Sequence, residues 1–71
     1  MAKNIRLRIL RAERDWSQSK AARRARLSFN RYWRIENGEA EPSAGEQRRI
    51  ARAFRVPLEQ AFSIEPREVA S

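Results

Sequence analysis

Cysteine and histidine are both absent from this chain of 71 residues, and their absence removes several kinds of chemistry at once. Without cysteine there is no disulfide framework. Without either residue, thiolate and imidazole metal sites and the usual Cys–His or Ser–His nucleophiles are excluded. An enzyme is therefore a poor interpretation, and we expect no metal ion and no cofactor.

Long apolar runs are also missing, and no stretch has the length of a membrane-spanning helix or the pattern of a signal peptide. Small domains that lack disulfides and metal sites normally fold in a reducing compartment. We therefore expect a soluble, cytoplasmic protein. A chain this short buries only about 60% of its unfolded surface and supports a single core, which predicts one domain over residues 1–62 and a polar tail over residues 63–71.

Acidic charge is scarce beside basic charge. The chain has 9 Asp and Glu against 16 Lys and Arg, a net charge of +7, and fourteen of the sixteen basic residues are arginine. Such a field attracts polyanions, and a guanidinium group binds a phosphate or a guanine edge through two hydrogen bonds. Nucleic acid is the leading partner. An anionic membrane would need one long amphipathic helix, whereas this chain is divided into short segments, and a basic surface without function is the remaining alternative.

Alternation of β-branched residues is rare, and helix breakers leave five segments of about 7 to 12 residues each. This pattern predicts an all-α fold with five short helices. Gly38 is expected to end the third helix, and Pro57 to lie in the first turn of the fifth. Glu46 has the spacing of a capping box with the serine before the fourth helix. The predicted N-cap residues of the first four helices are Asn4, Ser17, Ser28 and Ser43.

Apolar residues at helical spacing predict the core. The core set is Leu7, Leu10, Tyr32, Ile35, Ile50, Ala51, Phe54, Leu58, Ala61 and Phe62. On the first helix, Ile5, Ile9 and Ala12 form a second apolar stripe on nearly the opposite side. That stripe either packs against the C-terminal segment or lies open to a partner.

The segment SFNRYWRIENG, residues 28–38, divides its three aromatic rings between two faces of a helix. Tyr32 belongs to the core face, whereas Phe29 and Trp33 are four residues apart on the outward side. Burying those two rings requires a partner, a DNA groove or a fold back over a neighbouring helix. Asn30 and Arg34 are one turn apart, and asparagine suits adenine as arginine suits guanine in the DNA major groove. Two short helices joined by a brief connection, with such a second helix, indicate a helix-turn-helix.

The stretch LRILRAERDWSQSKAARRARLSFNRYWRIENGEAEPS, residues 7–43, resembles the Cro/cI-type (Xre) helix-turn-helix family of phage repressors and small bacterial regulators. The shared features are Leu10-Arg11, Ser17-Gln18, Ala22, Ser28, Ile35-Glu36-Asn37-Gly38 and Pro42-Ser43. The resemblance implies a compact five-helix bundle of the phage-repressor type. It also implies a repressor-like transcriptional regulator that binds a two-fold operator in double-stranded DNA as a homodimer, with the helix at about residues 28–37 in the major groove.

Roles for individual residues follow from the same resemblance. Gln18 is expected to brace the DNA backbone and the start of the recognition helix, and Arg11 and Glu36 are expected to form a structural salt bridge. The dimer contact is expected at Arg55, Val56, Pro57 and Leu58, together with the tail. Together with the chemistry of the outward face, this predicts DNA contacts by Gln18, Arg23, Arg24, Ser28, Phe29, Asn30, Arg31, Trp33, Arg34 and Asn37.

Three positions depart from the family pattern. Arg26 stands where the family usually has a glycine, and a left-handed backbone there would cost about 1 kcal/mol. Ala21 and Gln47 stand where the family usually has large apolar residues. We expect Tyr32 and Trp16 to fill the space beside Ala21, because total core volume matters more than the identity of each side chain.

A protein-interaction module is the rival interpretation. In that case an apolar surface, either Ile5 with Ile9 or Phe29 with Trp33, would cap a partner protein as an antitoxin does, and the basic charge would be incidental. RNA is a weaker third option, because a recognition helix fits the wide major groove of DNA and the groove of RNA is too narrow.

Overall fold

The computed structural model describes residues 4–62, and the predicted tail over residues 63–71 lies outside them. The described residues form five helices, as the sequence pattern predicts. They are α1 Ile5–Arg14, α2 Gln18–Arg24, α3 Phe29–Glu36, α4 Ala44–Phe54 and α5 Leu58–Ala61. Within this part of the chain, no helix is both long and apolar enough to cross a membrane.

Polar side chains fix where the helices begin. The four predicted N-cap residues each accept a hydrogen bond from a backbone N–H three residues later, which satisfies a donor that the first turn leaves free. At α4 the capping box is complete, since the Glu46 carboxylate also accepts from the Ser43 N–H at 2.8 Å. Pro57 differs slightly from expectation, because it is the N-cap of α5 rather than a residue of its first turn.

Residues with a left-handed backbone conformation end α1, α3 and α4. Gly38 has φ 76° after α3, where glycine meets no steric penalty. Asp15 after α1 and Arg55 after α4 adopt φ 56° and φ 58° with ordinary side chains. These sharp ends let helices of four to eleven residues fold back on one core.

The core lies between α1, α2, α4 and the inner face of α3. Its buried apolar members are Leu7, Leu10, Ala21, Ala22, Ala25, Tyr32, Ile35, Ile50, Ala51, Phe54, Ala61 and Phe62. Leu58 is only half-buried, at the edge of this cluster. Trp16 stacks on Phe54 with ring centroids 5.2 Å apart and packs against the core, so this large ring adds to the core volume.

The two chain ends of the described region meet beside α3. The Asn4 N–H donates to the Glu36 carbonyl at 2.8 Å, and the Asn4 side-chain amide donates to the Ala61 carbonyl at 3.2 Å. These bonds tie the start of α1 to the end of α3 and to α5. The position of α3 is therefore set by the whole bundle.

Candidate nucleic-acid interface

The turn between α2 and α3 sets the angle of the candidate recognition helix. Arg26 has φ 60°, the Arg26 N–H donates to the Arg23 carbonyl at 3.1 Å, and the Leu27 N–H donates to the Ala22 carbonyl at 2.9 Å. This pair of bonds is the Schellman arrangement, which usually has glycine at the left-handed position. An arginine there carries about 1 kcal/mol of backbone strain, and the turn forms in spite of it.

α3 packs against small side chains on α2. Ala21, Ala22 and Ala25 are all buried on the inner face of α2. Because alanine projects little from a helix, the backbone of α3 can approach α2 closely, and Tyr32 can be fully enclosed between the helices. The inner side of α3 is thus fixed by packing.

A buried ion pair holds the C-terminal end of α3. Arg11 donates to both oxygens of the Glu36 carboxylate, at 2.9 Å from Nε and 2.7 Å from Nη2, so the predicted pair is present and bidentate. Gln18 donates to the same carboxylate at 3.2 Å, and Arg11 also donates to the Trp16 carbonyl at 3.1 Å. Burial of Glu36 favours the neutral acid and is the largest single influence, but the hydrogen bonds and charge of Arg11, together with the other donors around the carboxylate, lower the pKa of Glu36.

Tyr32 lies against this ion pair with a fully buried ring. Its hydroxyl makes no hydrogen bond within the described residues. Burial, followed by the nearby Glu36 carboxylate, raises the pKa of Tyr32 above its ordinary range, so the phenol stays neutral. The network therefore contains one fixed negative charge and one fixed positive charge next to an apolar ring.

A second ion pair holds the N-terminal half of α3 against α4. Arg31 donates to the two oxygens of Glu46 at 2.9 and 2.8 Å, and to the Glu41 carbonyl at 3.0 Å. The Arg31 hydrogen bond, aided by the Ser43 N–H, lowers the pKa of Glu46 to about 2. Arg31 was expected among the DNA-contacting residues, but its guanidinium is occupied by the protein itself. Glu46 is the functional partner that sequence reasoning missed, because fifteen residues separate the pair.

The outward face of α3 carries the remaining candidates. Phe29 is 50% exposed, and Asn30 and Arg34 are also exposed. Trp33 is only half-buried, because it lies at the border between this face and the bundle. The Asn37 side chain donates to the Trp33 carbonyl at 2.8 Å and so closes the end of its own helix.

The two arginine candidates on α2 have different surroundings. The Arg23 side chain is exposed and has no ionic partner within residues 4–62. Arg24 instead lies over the Trp16 ring, with its guanidinium carbon 5.2 Å from the ring centroid. Gln18 and Ser28 lie at the starts of α2 and α3, where Gln18 is half-buried on Glu36 and Ser28 is exposed.

The expected dimer contact lies far along the chain from α3. Arg55 and Pro57 are exposed, and Val56 and Leu58 are half-buried against the core. The stripe formed by Ile5 and Ile9 lies open, with 62% and 51% of these side chains exposed. Its packing alternative is thereby excluded for residues 4–62.

A family model described as a helix-turn-helix domain matches residues 5–61, nearly the whole region that the structure describes. The match includes both helices of the motif, the strained turn between them and the two ion pairs that hold α3. No curated protein matches the chain. No solved structure matches it either.

Proposed function

Since the chain belongs to the Xre/Cro-type family of helix-turn-helix domains, which are DNA-binding regulators, we propose that it is a sequence-specific, repressor-like transcriptional regulator. It inserts α3 into the major groove of a two-fold operator and binds that operator as a homodimer. No chemical reaction is part of this function.

The difference between the two sides of α3 carries the proposal. Its inner side is fixed by burial of Tyr32 and by the Glu36 carboxylate, while Asn30 and Arg34 extend from the outer side. Arg34 has no carboxylate partner within residues 4–62, so its fork of donors is available to a base edge. A rigid helix with one polar, unpaired face is suited to direct readout.

We assign the direct base contacts to Phe29, Asn30 and Arg34. Phe29 supplies an apolar surface for a thymine methyl group, and the amide and guanidinium supply hydrogen bonds. Ser28, Trp33, Asn37 and Gln18 border this face and are proposed as supporting contacts, while Arg23 is proposed as a phosphate contact. Arg31 serves in the free protein to brace α3 on α4.

The homodimer rests on the number of bases that one helix can read. A single short helix reads too few base pairs to define a unique site, whereas two-fold partners read half-sites about one helical turn apart. The proposed contact is the α4–α5 connection, residues 55–58. Sedimentation with and without a selected operator measures the stoichiometry, and one protein per operator at saturation would contradict the dimer.

Base and phosphate contacts can be separated by mutation. Operators are first selected from random duplexes, and Arg34→Ala and Arg23→Ala are then measured on the operator, its single-base variants and random DNA. Losing the Arg34 base contact should cost about 1 to 3 kcal/mol on the operator and flatten preference at one base position. Losing the Arg23 phosphate contact should weaken all sequences alike and reduce the salt slope by about one unit.

If Arg34→Ala weakens binding to operator and random DNA equally and leaves base preferences intact, Arg34 is a phosphate contact. The proposed placement of α3 in the major groove would then be wrong. Phe29→Ala gives a second check on the same face. Because Phe29 is half exposed, this variant should keep the stability of the parent and lose operator affinity. Tyr32→Ala serves as its control, since truncating a buried ring should unfold the protein at a lower temperature.

The exposed Ile5 and Ile9 side chains favour one second function, binding of a partner protein. Replacing both with glutamine should then abolish partner binding without changing operator affinity. Salt separates the two functions, because phosphate contacts weaken steeply as salt rises and an apolar contact does not.

A further inference from the structure

A cleft between the α2–α3 turn and α4 is lined almost entirely by arginine. Its volume is about 410 Å³, and the two small residues Ala25 and Ala53 line it beside the charges. The five arginines of this arginine cleft are Arg24, Arg26, Arg49, Arg52 and Arg55. More than a third of the fourteen arginines in the chain therefore border one depression.

The arginine cleft is separate from the outward face of α3. No residue of α3 lines it. Arg24 is directed to this side by its stacking on Trp16, which in turn stacks on Phe54 of α4. A neighbouring cleft of about 390 Å³ shares Arg49 and Arg52 and adds Arg48, so the basic surface continues along α4 toward Ser43.

The charges of the arginine cleft are not compensated by the protein. No carboxylate lines it, and none of its five arginines has a carboxylate within 4.0 Å among residues 4–62. Elsewhere in the same molecule Arg11, Arg14 and Arg31 each have an acidic partner. Like charges gathered in one depression repel one another, and a bound anion relieves that repulsion.

The composition of the cleft indicates which polyanion it binds. Guanidinium groups bind phosphates through paired hydrogen bonds. On α4, Arg52 lies about one turn, or about 6 Å, beyond Arg48 of the neighbouring cleft at a rise of about 1.5 Å per residue, which places donors in a row on one helix. A protein partner would need an apolar anchor, whereas the cleft offers only alanine between its charges.

We propose that the arginine cleft binds the sugar–phosphate backbone of a second DNA duplex through Arg24, Arg26, Arg49 and Arg52, so that one molecule holds two DNA segments. Arg55 borders the cleft but is left to the proposed dimer contact. The first segment is read by α3, as under the proposed function, and the second is held without sequence preference. The protein would then bridge DNA segments in addition to occupying an operator.

A bridging experiment tests the cleft. An operator duplex is immobilised on beads, saturated with the full chain, washed and incubated with a labelled duplex of random sequence. Captured label is expressed per bound protein. Arg49→Gln/Arg52→Gln is the test variant, because neither residue belongs to the proposed base contacts or dimer contact. Arg6→Gln/Arg8→Gln is the matched control, since it removes the same charge from exposed positions of α1.

The test variant should capture about tenfold less random duplex at ~0.15 M salt, with a salt slope lower by about two units. Its affinity for a single short operator should stay within about twofold of the parent, and the control should behave as the parent in both assays. Equal capture by test variant and control would overturn the proposal. An equal loss of operator affinity and capture would also overturn it, because the cleft would then lie on the operator duplex itself.

Two further arms separate the alternatives. If polyglutamate competes with the labelled duplex as well as unlabelled duplex does at equal charge, the cleft is a site for acidic protein and the proposal fails. The variant Asn30→Ala/Arg34→Ala, immobilised through a C-terminal tag, should still bind random duplex, and adding Arg49→Gln/Arg52→Gln to it should remove most of that binding. This result distinguishes the two proposals, because operator recognition can be absent while the cleft still binds DNA.

Discussion

Two arginine–glutamate pairs hold α3 in place, and their geometries are nearly identical. Arg11 approaches Glu36 at 2.9 and 2.7 Å, and Arg31 approaches Glu46 at 2.9 and 2.8 Å. Their surroundings differ, since the side chains are 19% and 2% exposed in the first pair but 36% and 15% exposed in the second. One pair lies in the bundle at the end of α3, and the other lies at the surface near its start.

The comparison shows that the geometry of an ion pair does not determine its energy. When one partner of a buried pair is lost, the other charge remains away from water, and the penalty is large. At the surface, water solvates whichever charge is left, so the penalty is small. We therefore expect the Arg11–Glu36 pair to control stability and the Arg31–Glu46 pair to adjust the placement of α3.

The largest predicted effect is that of Glu36→Gln. This change leaves Arg11 without its carboxylate and should lower the free energy of unfolding by about 3 to 5 kcal/mol, as measured by chemical denaturation. Glu39→Gln is the matched control, because Glu39 is exposed and has no ionic partner within residues 4–62. If Glu36→Gln denatures like the control, the two pairs are equivalent and the comparison fails.

Acid should weaken both pairs without mutation. The pKa of Glu46 falls from its ordinary 4.5 to about 2, and the pKa of Glu36 is also lowered. A carboxyl with a lowered pKa contributes stability above its unfolded pKa and loses it as pH falls through the folded pKa. Stability should therefore decline from about pH 4.5 to pH 2.

Denaturation curves across this pH range check the decline. The variant Glu46→Gln should show a shallower pH dependence than Glu36→Gln, because it removes the carboxyl whose pKa is lowered to about 2. Parallel pH dependences in the two variants would show that the two carboxyls contribute equally to the acid sensitivity.

A smaller effect is expected for Glu46→Gln. It removes a surface pair and part of the α4 capping box, so unfolding should become easier by about 1 kcal/mol or less. This variant should be distinguished by DNA binding. The loss of binding free energy for the operator should exceed the loss of unfolding free energy, because α3 loses its brace on α4. A stability loss as large as that of Glu36→Gln would contradict the assignment of this pair to the surface.

The smallest effect is predicted for Arg26→Gly. This variant tests whether the turn before α3 contributes to stability in addition to the two ion pairs. Glycine removes about 1 kcal/mol of left-handed backbone strain from the folded state. It also raises the conformational entropy of the unfolded chain, which destabilises the folded state by about 0.4 to 1 kcal/mol. A gain of a few tenths of a kcal/mol should result, visible as a small rise in Tm. Asp15→Gly is the control, since aspartate tolerates this conformation better and should gain less.

Sequence signals recovered most of the fold because they are local. Serine or asparagine marks the start of four helices, and apolar residues at helical spacing mark the buried faces. The all-α fold and the family were both predicted correctly. The inner face of α3, with Tyr32 and Glu36 buried, follows from the same spacing.

Only part of the candidate site could be predicted in this way. The exposure of Phe29 follows from helical periodicity, but periodicity alone does not reveal that Arg31 is occupied by Glu46, because that pairing depends on how α4 packs on α3. The contact of Arg24 with Trp16 likewise depends on where Trp16 and Phe54 stack.

By itself, then, the sequence determined the helices, their caps, the sign of the charge and the family, since each depends on residues close together along the chain or on composition. The tertiary structure alone decided which arginines are neutralised and which are gathered in the arginine cleft. Arg24 and Arg26 are more than twenty residues away from Arg49, Arg52 and Arg55, and only the packing of α2 against α4 brings them together. Coulomb energies depend on distance in space, and folding sets those distances.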